Sequence, residues 1–195
     1  MCDLINKLFP FIDNQRTNTV IKEKINCITN GKLTLDYMNG YERLSIEQLK
    51  DFYNDTFEIK NSFEDKAKIN VVGLTISISL ILGLSDLITR IEYYGMVWLN
   101  IIVVILSIFA IGYMAIASIL SISVLIKENV VNKVYPEDLL LKEEDLKKEY
   151  AKNTEINVNR NIIRNNYIYT SYECITNSLI ILAIIFFIIS ICVIK

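Results

Sequence analysis

YYGMVWLNIIVVILSIFAIGYMAIASILSISVLI occupies residues 93–126 and contains no charged side chain. A helix of that length rises about 50 Å, more than one crossing of a ~30 Å hydrocarbon core and too little for two crossings plus a turn. The stretch holds no proline and only Gly95 and Gly112. It therefore reads as one tilted span, about 98–120, whose ends continue beyond the hydrocarbon.

Two further stretches match it. Residues 69–88, INVVGLTISISLILGLSDLI, carry one charge, Asp86, with Lys66 and Lys68 before them and Arg90 after. Residues 175–194 carry none. The first two spans are predicted to join in a tight hairpin formed by 89–92 and their flanks, and so to run antiparallel. Lys60, Lys66, Lys68, Lys127, Lys133, Arg160 and Arg164 flank one side of the spans, and only Arg90 and Lys195 the other. The positive-inside rule then puts the N-terminus and the 127–174 loop in the cytoplasm and the C-terminus outside. Tyr93, Tyr94 and Trp98 suit an outer aromatic belt, and Tyr167, Tyr169 and Tyr172 an inner one.

The 52% hydrophobic and 22% charged residues are thus segregated along the 195-residue chain. Residues 1–68 carry ten Lys and Arg against eleven Asp and Glu, and 127–174 carry eight against nine. Neither block has the basic excess of a surface for duplex nucleic acid. The absence of histidine excludes His-based acid–base catalysis, the Ser-His-Asp triad and His metal ligands. Cys2, Cys27, Cys174 and Cys192 form no CxxC, which argues against a zinc site or disulfide framework. Residues 1–10 lack the apolar core and cleavage site of a signal peptide. There is no Walker loop, GxGxxG or HExxH, so neither an enzyme nor a cofactor is expected.

Ser45-Ile46-Glu47-Gln48 is a capping box, and no proline or glycine interrupts the sequence from there to Gly73. One helix is expected to run from 45 into the first span. The second span is expected to continue to about Val134, where Pro136 stops it and opens a charged helix over 136–150. A last helix from about Thr154 enters the third span. Residues 1–44 form a small N-terminal module, with a helix over 14–29. In it, Asn30-Gly31 and Asn39-Gly40 are turn dipeptides flanking KLTLDYM (32–38), a strand candidate. The expected fold is an all-α membrane protein. Its three transmembrane helices, over 45–195, are extended by long cytoplasmic helices.

Two sets of residues carry the functional expectation. Thr75, Ser79, Leu82 and Asp86 share a face of the first span, and Asn100, Ser107, Ser118 and Ser121 form a stripe on the second. Such faces either pack helices together or line a water path in an oligomer. Lys152, Arg160 and Arg164 lead into the third span, where they either anchor to anionic lipid or bind phosphate, with Tyr150 and Tyr167 placed to stack a base. The Asn-rich run through Asn157, Asn159, Asn161, Asn165 and Asn166 fits polar bundle contacts or nucleotide readout.

Residues 63–83, FEDKAKINVVGLTISISLILG, lead a charged helix with a Lys66-Ala67 pair into the membrane. With SILSISVLIK (118–127) and NRNIIRNNYIYTSYECITNSLIILAI (159–184), they resemble small transmembrane effectors of bacterial anti-phage systems of the Pycsar and CBASS types and the related SLATT proteins. The resemblance covers about residues 45–195. It implies an effector that oligomerises and permeabilises or depolarises the inner membrane, triggered by a cyclic nucleotide or by a protein partner. The alternative is a non-toxic membrane anchor whose cytoplasmic helices dock a soluble partner.

Overall fold

The computed structural model describes residues 7–32, 34–93 and 97–194; it does not describe the side chains of 77, 80–82, 84–93 and 192–194. Four α-helices make up the described chain: α1 (Pro10–Thr29), α2 (Ile46–Tyr93), α3 (Val97–Ile126) and α4 (Glu143–Ile194). No strand occurs among the described residues. The longest, α4, has 52 residues and rises about 78 Å. It is the axis of the molecule, since α1, α2 and α3 all pack against it.

The capping box forms as expected. Ser45 N–H donates to Gln48 Oε1 at 3.0 Å, and Gln48 N–H to Ser45 Oγ at 3.2 Å. From it α2 runs unbroken for 48 residues. The helix includes 89–92, so those four residues are not the connection; the flank of the expected hairpin at 94–96 lies outside the described residues. α1 starts at Pro10, whose missing N–H costs nothing in a first turn.

The second half of α4 packs with α3 in a constant antiparallel register. Ser178 Oγ donates to Ala110 O at 2.9 Å, and Ser171 Oγ to Ala117 O at 3.0 Å, seven residues apart on each helix. The apolar core here joins Leu74, Val103, Ala110, Met114, Leu182 and Ile185. Small residues and hydroxyls at the contact let the two backbones approach closely.

Several expectations fail, each for a tertiary reason. α3 ends at Ile126, well short of Val134, because the N–H groups of Lys127 and Glu128 both turn back to Ser123 O. The chain then runs as an extended strap whose backbone is bound by α4. Pro136 does not open a helix. It precedes a 3-10 turn over Asp138–Leu140, and Asp138 Oδ2 accepts from Tyr135 N–H at 2.7 Å. The separate helices over 136–150 and from 154 are one helix from Glu143. KLTLDYM forms a turn rather than a strand in its described part, and Gly31 and Gly40 flank it with φ of 67° and 80°, values glycine adopts without strain.

Among the described residues, two helices are long and apolar enough to cross a membrane, α3 and α4, against the three expected. Much of the stretch 69–88 lies outside the described side chains.

Candidate functional site

The first half of α4 is buried on nearly all sides, and its interior is polar. Asn153, Thr154, Glu155, Asn157, Asn159, Asn161 and Arg164 are all buried. A buried polar group is tolerable only when bonded. Most of the bonds here run to backbone atoms of other segments.

Arg164, fully buried, is the centre. Its Nε donates to Glu128 O at 2.8 Å, Nη2 to Glu128 O and to Val130 O at 2.8 Å, and Nη1 to Asn161 Oδ1. Burial and the neighbouring Arg160 pull its pKa down to about 10, against the opposing pull of Glu128 and Glu64. Arg164 thus stays cationic at neutral pH while bonded to neutral carbonyls. The Glu128 carboxylate turns instead to Lys22 Nζ, 2.8 Å away. Burial lowers the Lys22 pKa, but the hydrogen bond and charge of Glu128 outweigh it, and the net shift is upward.

Asn157 grips the same strap from both sides. Its Oδ1 accepts from Asn132 N–H at 2.8 Å and its Nδ2 donates to Asn132 O at 3.0 Å. The Tyr53 hydroxyl accepts from Val134 N–H at 3.1 Å. Arg160 Nη1 reaches Val130 O at 3.5 Å. The strap is therefore bound much as an extended peptide is bound in a groove, through its main chain.

Glu155 holds a second segment. Its Oε2 accepts from the N–H groups of Tyr37 and Met38 at 2.7 and 3.0 Å, and its Oε1 lies 3.5 Å from Lys24 Nζ. A third set ties α1 to α4: Asn18 Nδ2 donates to Asn14 Oδ1 at 2.7 Å, and Asn166 Nδ2 to Asn18 Oδ1 at 2.8 Å. Asn14 Nδ2 reaches Asn166 O and Thr170 Oγ1.

Of the expected cationic site, Arg160 and Arg164 meet at Val130 O. A phosphate could reach Arg164 only if the strap moved. Lys152 lies apart, half-buried beside a groove lined by Thr34, Met38 and Tyr41. Tyr150 is buried edge-on against Tyr53, and Tyr167 lies under Lys22, so neither ring offers a free face for a base.

The stripes of the spans divide. Thr75 and Ser79 are exposed on α2, their hydroxyls donating to Val71 O and Thr75 O in their own helix. Asn100, Ser107 and Ser118 are half-buried on α3, Ser107 bonding to Val103 O at 2.8 Å. Ser121 is buried against Ser171, oxygens 2.8 Å apart. Because the Ser171 proton goes to Ala117 O, Ser121 is the donor in that pair. Ser121 thus serves packing. The side chains of Leu82 and Asp86 lie outside the described residues.

No protein-family model, curated protein or solved structure matches the chain. Among the described residues no group of three or more Cys, Asp and Glu is placed to hold a metal ion. Glu155, Asn14 and Asn18 were not singled out in the sequence, whereas Asn157 and Asn166 make the polar bundle contacts that were one of two expectations for their run. The Asn-rich run was the available signal, and most of its members make bundle contacts.

Proposed function

We propose that the chain is a membrane protein in which α2, α3 and α4 all cross a bacterial inner membrane, with the N-terminus and the strap in the cytoplasm. Its activity in this reading is that of an effector: it oligomerises on a cytoplasmic trigger and permeabilises or depolarises the membrane. The observation that carries the reading is the exposed Thr75, Ser79 and Gly83 face on α2. Asn70 Nδ2, 3.4 Å from Ser171 Oγ, puts the start of that face level with the inner end of the α3–α4 contact. In this reading the face lies at spanning depth. Its hydroxyl protons are spent on Val71 O and Thr75 O of the same helix, so what its small residues offer a second copy of the helix, or water in an oligomer, is close approach and two acceptor oxygens. The anti-phage setting rests on the sequence resemblance alone.

The test is controlled expression in a bacterium with a potential-sensitive dye. Depolarisation by the wild type, lost in Ser79→Leu and Asn100→Leu while the oligomer persists, is the expected result. Unchanged potential and dye exclusion during activated expression overturn it.

One observation favours the anchor reading. Leu139, Leu140 and Leu141 are 56, 88 and 42% exposed, at the end of the molecule farthest from the spans. They lie about 50 Å along α4 from Ile175, out of reach of lipid. An exposed trio of leucines there fits a soluble partner. A stoichiometric partner lost on replacing the three with serine, with no toxicity in its absence, would favour this reading.

A further inference from the structure

The head of α1 presents apolar side chains to the surroundings. Leu8, Phe9 and Ile12 are 46, 40 and 56% exposed within five residues, while Phe11 turns inward onto the core between the spans. Two side chains of the spans pin the backbone at this point. Asn177 Nδ2 donates to Lys7 O at 3.0 Å, and the Tyr113 hydroxyl donates to Leu8 O at 2.5 Å.

Those two contacts fix its height. In the α3–α4 register set by Ala110 with Ser178 and Ala117 with Ser171, Tyr113 stands level with Ile175. That level lies just past Glu173, the last charged residue of α4 before its apolar run. On the same helix, Tyr169 and Tyr172 are exposed immediately below it. From Asn14 onward α1 leaves this level, pairing with Thr170 and Asn166 and then packing Ile25 and Ile28 among Ile156 and Ile163.

We propose that residues 7–12 are an interfacial anchor, with Leu8, Phe9 and Ile12 seated in the inner leaflet where acyl chains meet headgroups. The proposal rests on the membrane reading above. Lipid is the occupant because the patch is tied by its main chain to α3 and α4 at the height where their exposed apolar surface begins. Lys7, in the same segment, meets anionic headgroups, and the exposed tyrosines complete the belt. A helix head tied by its main chain to two spans also couples any tilt of those spans to α1, and through α1 to the Lys22–Glu128 pair beside the strap.

The protein's single tryptophan, Trp98, 65% exposed at the other end of α3, is a built-in control. Full-length protein is reconstituted in vesicles of phosphatidylethanolamine and phosphatidylglycerol carrying brominated lipid. The wild type reports from Trp98, and a Trp98→Phe background carrying Phe9→Trp, or separately Ile12→Trp, reports from the anchor. The expected result is blue-shifted emission from both reporters. Most of it is lost to bromine near the head of the acyl chain and little to bromine near its end. Quenched Trp98 beside reporters that emit as in water overturns the anchor and leaves the membrane reading standing. Blue-shifted but unquenched reporters show a second copy on the patch and also overturn it. An unquenched Trp98 overturns both.

Discussion

The two halves of α4 are inverted with respect to one another. Over 153–164 the helix buries asparagines, Glu155 and Arg164, while over 179–191 it buries Leu182, Ile185 and Ile189 and exposes Leu179, Ile180, Ile184, Phe186, Phe187 and Ile191. One helix thus obeys two rules. In the lower half Glu155, Asn157, Asn161 and Arg164 each bind a backbone group of another segment, so polarity inside is specific adhesion. In the upper half the outward side chains are as apolar as the inward ones, which is the pattern of a helix whose solvent is hydrocarbon. The change falls near Glu173, where the exposed tyrosines stand.

Breaking the lower half has the largest effect. Arg164→Ala strands Glu128 O and Val130 O and opens a hole, at a cost of about 3–5 kcal/mol. The detergent-solubilised protein should melt roughly 10 °C lower. Asn157→Ala removes two bonds to Asn132 and costs about 2 kcal/mol, with hydrogen exchange at the Asn132 amide accelerating first. Glu155→Gln keeps the shape and loses the charge that Tyr37 N–H, Met38 N–H and Lys24 meet, for about 1 kcal/mol by the same melting assay. In the upper half, Ser178→Ala forfeits a bond to Ala110 O in a well-packed contact. Its cost, by steric-trap unfolding in bicelles, should be only about 0.6 kcal/mol, since α3 already satisfies that carbonyl along its own axis.

Much of this was legible in the sequence because it rests on local or periodic signals. The Ser45–Gln48 box, the uninterrupted run into the apolar stretch, the charge-free 93–126 and the helix entering the third apolar run all read directly. The strap did not. Val130 to Val134 has nothing local to end a helix, and Arg164, Arg160, Asn157 and Tyr53, all far along the chain, hold it extended. The opposite error occurred over 151–153, where a break was expected between two helices; α4 runs through it, with Ala151 and Asn153 buried. Pro136 neither stops α3, which ends earlier at Ile126, nor opens a helix. For the candidate residues, spacing identified the Thr75–Ser79 face, but nothing in it could say that Ser121 turns inward to Ser171 or that Arg164 is consumed by the strap.

The central claim is that the solvent of α4 changes along its length, and one pair of substitutions tests it. Ile162 and Ile184 are 43 and 47% exposed on the same helix, one in each half. Ile162→Lys should cost no more than about 0.5 kcal/mol, as at any water-exposed site, and leave the protein in the membrane fraction after carbonate extraction. Ile184→Lys should cost about 3 kcal/mol of insertion and deplete that fraction. Equal tolerance of lysine at the two positions would contradict the account.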